Sequence, residues 1–241
     1  MVSTLLKTCG VTFVFATTGF SQNLIPTNPG AEAGTFSGWT VTSTSFGANQ
    51  PPDPLNSATI NQDPNFLTEG THSFFLQDGS ANTSLRLTST PDNRAMISIN
   101  TDYQLSFDAK IIGTPGYPLF QIHYYTDPAG TNPPGQLAYD LSNPGSFSAS
   151  HPAANGFTEY VINLRFSSSN PAPPLYLELD FWTDFYASSS SQMYLDNMRL
   201  TAVPEPTSAG LLLIGCAPII LRAARKKLAR CKPQPAILTR S

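Results

Sequence analysis

The chain has 241 residues, only 12% of them charged, with 22 prolines, 16 glycines and 3 cysteines. The body is poor in the Ala, Leu, Glu and Lys that long helices favour, which argues against a helical fold. From Gln22 to Ala202 there are 15 acidic and 5 basic residues, a net of −10. That balance excludes nucleic acid as a partner, because phosphate binding needs a basic face.

Residues 1–21, "MVSTLLKTCGVTFVFATTGFS", carry Lys7 and then an apolar stretch from Val11 to Ala16. Small residues, Gly19 and Ser21, stand three and one positions before a cut ahead of Gln22. This is the layout of a secretory signal peptide. Cys9, Cys216 and Cys231 all lie in the terminal segments, so residues 22–202 hold no disulfide. A body of about 180 residues buries an adequate core without one.

Within 22–202 several segments alternate apolar and polar residues with period two, the signature of half-buried strands. In chain order the shorter ones are Thr40 to Phe46, Ser73 to Gln77, Thr83 to Thr88 and Arg94 to Ile99, with Met193 to Thr201 last. The clearest are "DYQLSFDAKII", with Tyr103, Leu105, Phe107, Ala109 and Ile111 on one face, and "LFQIHYY", with Phe120, Ile122 and Tyr124. Tyr160, Ile162, Leu164 and Phe166 share a face in "TEYVINLRF", and Leu175, Leu177, Leu179 and Phe181 share one in "LYLELDFW". Nine strands separated by Pro-, Gly- and Asn-rich turns predict an all-β fold, an antiparallel β-sandwich of jelly-roll type. The stretch Gly47 to Asn65 is expected to be a long surface loop.

After the body, residues 203–232 hold a Pro-Glu-Pro triplet, a short apolar run and a basic cluster, and 233–241 form a tail. The run Ala209 to Leu221 is 13 residues long and contains Pro218. A spanning helix needs about 20 residues, so this is a short transmembrane helix. Arg222, Arg225, Lys226 and Lys227 would keep its far end cytoplasmic under the positive-inside rule.

Val203-Pro204-Glu205-Pro206-Thr207, the Leu-rich run and the terminal bases resemble a PEP-CTERM sorting signal. The resemblance implies an exosortase and the secretion machinery as partners, removal of the tail, and delivery to the bacterial surface or extracellular matrix. The apolar run is shorter than usual for that family. A second resemblance covers residues 23 to 201. "NLIPTNPGAEAGTFSGWTVT", "YQLSFDAKI" and "MYLDNMRLT" are similar to the opening, middle and closing strands of jelly-roll carbohydrate-binding modules. Ala31 stands where that family has an aromatic residue. The resemblance implies a structural calcium ion, with Glu32 and Asp196 as carboxylate ligands and main-chain carbonyls of the turn 69–73 as additional ones. Calcium takes six to eight hard oxygen donors. The plainer alternative is a strand-capping Asp196 and a solvated Glu32.

If the apolar residues above point inward, the opposite face displays Ser106, Asp108, Lys110, Gln121, His123, Tyr125, Asn163, Arg165, Tyr176, Glu178, Asp180 and Trp182. Sugars are held by aromatic rings under their C–H faces and by fixed polar groups at their hydroxyls. Gln121, His123, Tyr125, Arg165, Tyr176, Glu178 and Trp182 are therefore the candidate ligand-binding residues, a solvated sheet face being the alternative. Catalysis has thin support. His72, His123 and His151 are far apart in sequence, the body has no cysteine nucleophile, and Glu178 and Asp180 are same-strand neighbours. Glycosidase pairs stand about 5–9 Å apart across a cleft. The sequence thus reads as an exported, non-catalytic surface or matrix protein with a polysaccharide as partner. A structural matrix protein without a ligand and a glycan-active hydrolase are the alternatives.

Overall fold

A computed structural model describes residues 22–45, 56–79, 83–113, 117–131, 133, 135–167, 174–184 and 191–203. The expected signal peptide and the sorting segment from Pro204 onward lie outside the described residues. Among the described residues, twelve strands form two antiparallel sheets packed face to face. They are β1 (Trp39–Ser45), β2 (Ser57–Asn61), β3 (Ser73–Gln77), β4 (Thr83–Ser89), β5 (Ala95–Ile97) and β6 (Asp102–Gly113). The second half supplies β7 (Leu119–Tyr125), β8 (Gly135–Asp140), β9 (Ala149–Pro152), β10 (Thr158–Arg165), β11 (Leu175–Trp182) and β12 (Ser191–Ala202).

Sheet A runs β1-β4-β11-β7-β8, with the short β5 continuing β4's place against the first half of β11. Sheet B runs β2-β3-β12-β6-β10-β9. The period-two residues of β6, β7, β10 and β11 named above face the shared core or its edge. Phe107 of sheet B meets Phe120 and Phe181 of sheet A at 4.8 and 5.0 Å between ring centroids. Trp39 likewise crosses to Phe74 at 5.6 Å. Burying such side chains supplies about 1.5–3 kcal/mol each, the main force holding the sheets together.

Three strands depart from the sequence expectation. β2 lies inside the stretch expected to be loop, and β8 and β9 were not anticipated. β2 and β9 are edge strands and β8 edges sheet A. An edge strand has one partner and little need for apolar alternation, so its pattern is weak. β12 carries a bulge, with Asp196 opposite Asp108 but Arg199 opposite Ser106, and Asn197 in the left-handed region at φ 52°. The extra residue keeps Leu195, Met198 and Leu200 all in the core. The opening segment lies against the same strand, Leu24 N–H donating to Leu200 O at 2.8 Å and Met198 N–H to Pro29 O at 3.3 Å.

Candidate functional site

β7 and β11 are neighbours inside sheet A, and their outward residues alternate with the core-facing ones. The register places Tyr176 opposite Tyr125, Glu178 opposite His123, Asp180 opposite Gln121 and Trp182 opposite Leu119. On the other side of β11, Trp182 pairs with Arg86, Asp180 with Thr88 and Tyr176 with Met96. The outer face is thus a polar and aromatic lattice four strands wide. Its centre is buried: Asp180 is 0% exposed and Glu178, Gln121 and Arg94 are each 7%. Its margins are open, at Met96 on β5 and at Gln136 and Ala138 on β8.

Two arginines lock the centre. Arg94 donates from Nε and Nη2 to Glu178 Oε2 at 3.1 and 2.6 Å, and from Nη1 to the carbonyls of Pro128 and Gly130 at 2.7 and 2.8 Å. Its guanidinium lies over the Tyr125 ring, and the Tyr125 hydroxyl donates to Glu178 Oε1 at 3.3 Å. Burial, and then the Glu178 charge, push the Tyr125 phenol above its ordinary range. Arg86 Nε reaches Asp180 Oδ1 at 2.6 Å, joined by Thr88 Oγ1 at 2.9 Å, while Trp182 Nε1 donates to Asp180 Oδ2 at 2.8 Å. Burial raises the Asp180 carboxyl, but His123, Arg86 and Trp182 together outweigh it and hold it below its ordinary value. His123 Nε2 stands 3.4 Å from Asp180 Oδ2, a long contact that helps to hold the carboxyl low.

Of the expected ligand-binding residues, Gln121, His123, Tyr125, Tyr176, Glu178 and Trp182 share this face. Arg165 does not. It sits on β10 in sheet B, paired with Asp102 at 3.0 Å, and belongs to the opposite side of the molecule. Ser106, Asp108, Lys110 and Asn163 are also on sheet B. The sequence pattern separates inward from outward residues but is silent on which sheet a strand joins. Arg86 and Arg94 complete the centre of the face, and as two of only five bases in an acidic body they carry a signal in the sequence. Glu178 and Asp180 each face an arginine rather than one another across a cleft.

A second site lies where the opening segment meets β12. Glu32, Glu69 and Asp196 line one cleft of about 120 Å3, with Arg199 paired to Glu69 at its rim. Asp196 Oδ2 accepts Thr68 N–H at 2.7 Å, Thr68 Oγ1 at 3.0 Å and Glu69 N–H at 3.1 Å, and Oδ1 accepts Asn197 N–H at 2.7 Å. Burial leaves the Asp196 carboxyl above its ordinary value despite these bonds. Glu32 accepts from Thr71 N–H and His72 N–H, both at 3.1 Å. The turn therefore meets both carboxylates with amide N–H groups where carbonyls were expected. Glycines open each carboxylate: a Cβ on Gly30 would come within 3.1 Å of Asp196 Oδ1, and one on Gly70 would overlap Glu32. Among the described residues no three His, Cys, Asp or Glu side chains are grouped to hold a metal ion, so a hard cation would have at most the two carboxylates Glu32 and Asp196 here.

The fold is an antiparallel β-sandwich of two facing sheets. No protein-family profile and no curated sequence matches the chain. Among solved structures, the enzymatically active domain of tailspike protein 4 from bacteriophage CBA120 is similar over 75% of this chain, with TM-score 0.51 and 16% identity. This chain spans 21% of that one. The module TmCBM61, solved with β-1,4-galactotriose, gives TM-score 0.45 and 12% identity over 76% of this chain and 100% of that one. A cyclase from Fischerella sp. TAU gives 0.47 and 14% over 78% of this chain and 100% of that one. At these identities the likeness is one of fold.

Proposed function

We propose that the chain is an exported surface or matrix protein that binds carbohydrate on the outer face of sheet A and catalyses no reaction. The observation that carries this reading is the locked polar band beside half-exposed Tyr176. Arg94 and Arg86 hold the buried Glu178 and Asp180 in fixed positions, so a ligand at the margin meets a face whose ordering cost is already met. Tyr176, between Met96 and Tyr125 in register, offers a ring for the C–H face of a sugar. The PEP-CTERM resemblance of 203–232 supports handling by an exosortase, and the layout of 1–21 supports export. A calcium ion held by Glu32 and Asp196 would tie the opening segment to β12 and belongs to the same proposal.

A glycan array probed with the full chain tests the binding. Saturable retention on a polysaccharide, lost in Tyr176→Ala, is expected. Retention on none would leave a matrix protein without a ligand. Mass analysis of the protein recovered from its native host tests the sorting: a chain that keeps its first 21 residues and everything beyond Pro206 would overturn it.

A further inference from the structure

The sulfur atoms of the described residues belong to Met96, Met193 and Met198. Met193 and Met198 lie in the core at 0% and 1% exposure, whereas Met96 is 59% exposed. Its neighbours on β5, Ala95 and Ile97, are both buried, so alternation turns the Met96 side chain to the outer face of sheet A. There Met96 is the direct cross-strand partner of Tyr176, and Tyr176 in turn stands opposite Tyr125. Directly opposed side chains have Cβ atoms about 4.5–5.5 Å apart, within reach of one another. The row therefore runs from an open thioether, through the partly exposed Tyr176 ring, to a Tyr125 ring already covered by Arg94.

We infer that Met96 is an oxidation site that regulates this face: a peroxide converts its thioether to the sulfoxide and thereby weakens saccharide binding at Tyr176. The inference rests on the reading that the face binds carbohydrate, and it names how that site is controlled. A sulfur lone pair attacks one oxygen of hydrogen peroxide, the O–O bond breaks and an S–O bond forms. The proton of the attacked oxygen passes to the departing hydroxide, which leaves as water. Sulfur gives up two electrons and the peroxide takes them. The product is polar where the thioether was apolar and polarizable. A sugar that lays its C–H face on Tyr176 extends over the neighbouring side chain, and Met96 enlarges the apolar surface it meets. The sulfoxide oxygen holds water at that place, so the same C–H face meets a hydrated dipole. Exposure sets the selectivity, because a peroxide reaches the two core methionines only when the fold opens. Methionine sulfoxide reductases reverse the change, which makes it a switch.

Graded hydrogen peroxide on the full chain, followed by peptide mass mapping, tests the site. One added oxygen at Met96 before any at Met193 or Met198 is expected. Titration calorimetry with xylo-, cello- and galacto-oligosaccharides then compares treated and untreated chain. Oxidation should weaken binding about fivefold, the change that about 1 kcal/mol produces, and a sulfoxide reductase should restore it. Met96→Leu keeps the apolar flank and should bind as the unaltered chain does, before and after peroxide. Met96→Gln, polar like the sulfoxide, should bind weakly from the start, and unchanged thermal unfolding of both variants guards against a folding defect. Oxidation of Met96 no earlier than the core methionines would overturn the inference. So would binding that survives complete oxidation of Met96, or that peroxide abolishes equally in Met96→Leu, and in these cases the carbohydrate reading survives. Binding of none of these saccharides by the untreated chain removes the carbohydrate reading and its control together.

Discussion

The Arg94 guanidinium carbon lies 3.6 Å from the centre of the Tyr125 ring while the same group holds Glu178 at 2.6 Å. One side chain, just ahead of β5, thus joins β7, β11 and the turn at 128–130. Its planar fork is what allows stacking and a two-donor grip on Glu178 at once, which an ammonium cannot reproduce.

Arg94→Ala should therefore cost about 3–5 kcal/mol, because it leaves a buried carboxylate without its counter-charge. Arg94→Lys should recover little of that. Replacing both partners, Arg94→Met with Glu178→Leu, should cost less than the single change, since no buried charge is left unpaired. Urea unfolding of the three variants checks the order, and additive single effects would show that the pair is not coupled.

The buried aspartates give acid stability a direction. Asp180 has its folded pKa held below its ordinary 3.8, so its contribution is complete above 3.8 and is lost as pH falls through the folded value. Asp78, pushed up by burial against its bonds to Thr183 and Ser191, has the opposite sign. It favours the fold while protonated, and that contribution declines as pH rises through its folded value above 3.8. Unfolding free energy measured from pH 2 to 6 should lose its lowest-pH limb in Asp180→Asn, and its decline above pH 4 should flatten in Asp78→Asn.

Gly70 adopts φ +66° directly above Glu32, where a Cβ would overlap the carboxylate. Gly70→Ala combines a left-handed backbone with displacement of the Glu32 latch, and each penalty alone is about 1 kcal/mol or more. The melting temperature should fall by several degrees. Gly145→Ala is the control, for it has ordinary φ and its Cβ would meet only Asn143 Oδ1 at 3.4 Å. Equal melting of the two variants would mean that the 68–72 turn does not depend on Glu32.

If calcium is held by Glu32 and Asp196, a chelator should lower the melting temperature and added calcium should restore it. A ligand at a hundredfold excess over Kd stabilises by about 2.7 kcal/mol, enough for a clear shift. Glu32→Ala with Asp196→Ala should make melting indifferent to both additions. Melting of the unaltered chain that ignores the chelator would leave the cleft to its amide bonds alone.

Alternation made the core legible from sequence. Phe107, Phe120, Tyr160 and Phe181 were assigned inward and pack there, because a strand's side chains alternate strictly and water drives one face to be buried. The "HYY" ending of β7 resolves the same way, with Tyr124 inward and Tyr125 outward. The edge strands β2, β8 and β9 were not legible, since hydrogen bonding to a single neighbour leaves little trace in composition. The break at Asp196-Asn197 was visible only as a skipped beat between Leu195 and Met198.

The sequence by itself determined an all-β body, its inward residues, and the six aromatic and polar residues that now share a face. Only the tertiary structure decided that Arg165 belongs to the other sheet, and that Arg86 and Arg94 close the charges of Asp180 and Glu178. It also showed that Glu32 and Asp196, 164 positions apart, line one cleft. Local alternation is written residue by residue, whereas strand pairing in a sandwich joins segments far apart and is set by how the whole set of sheets buries its area.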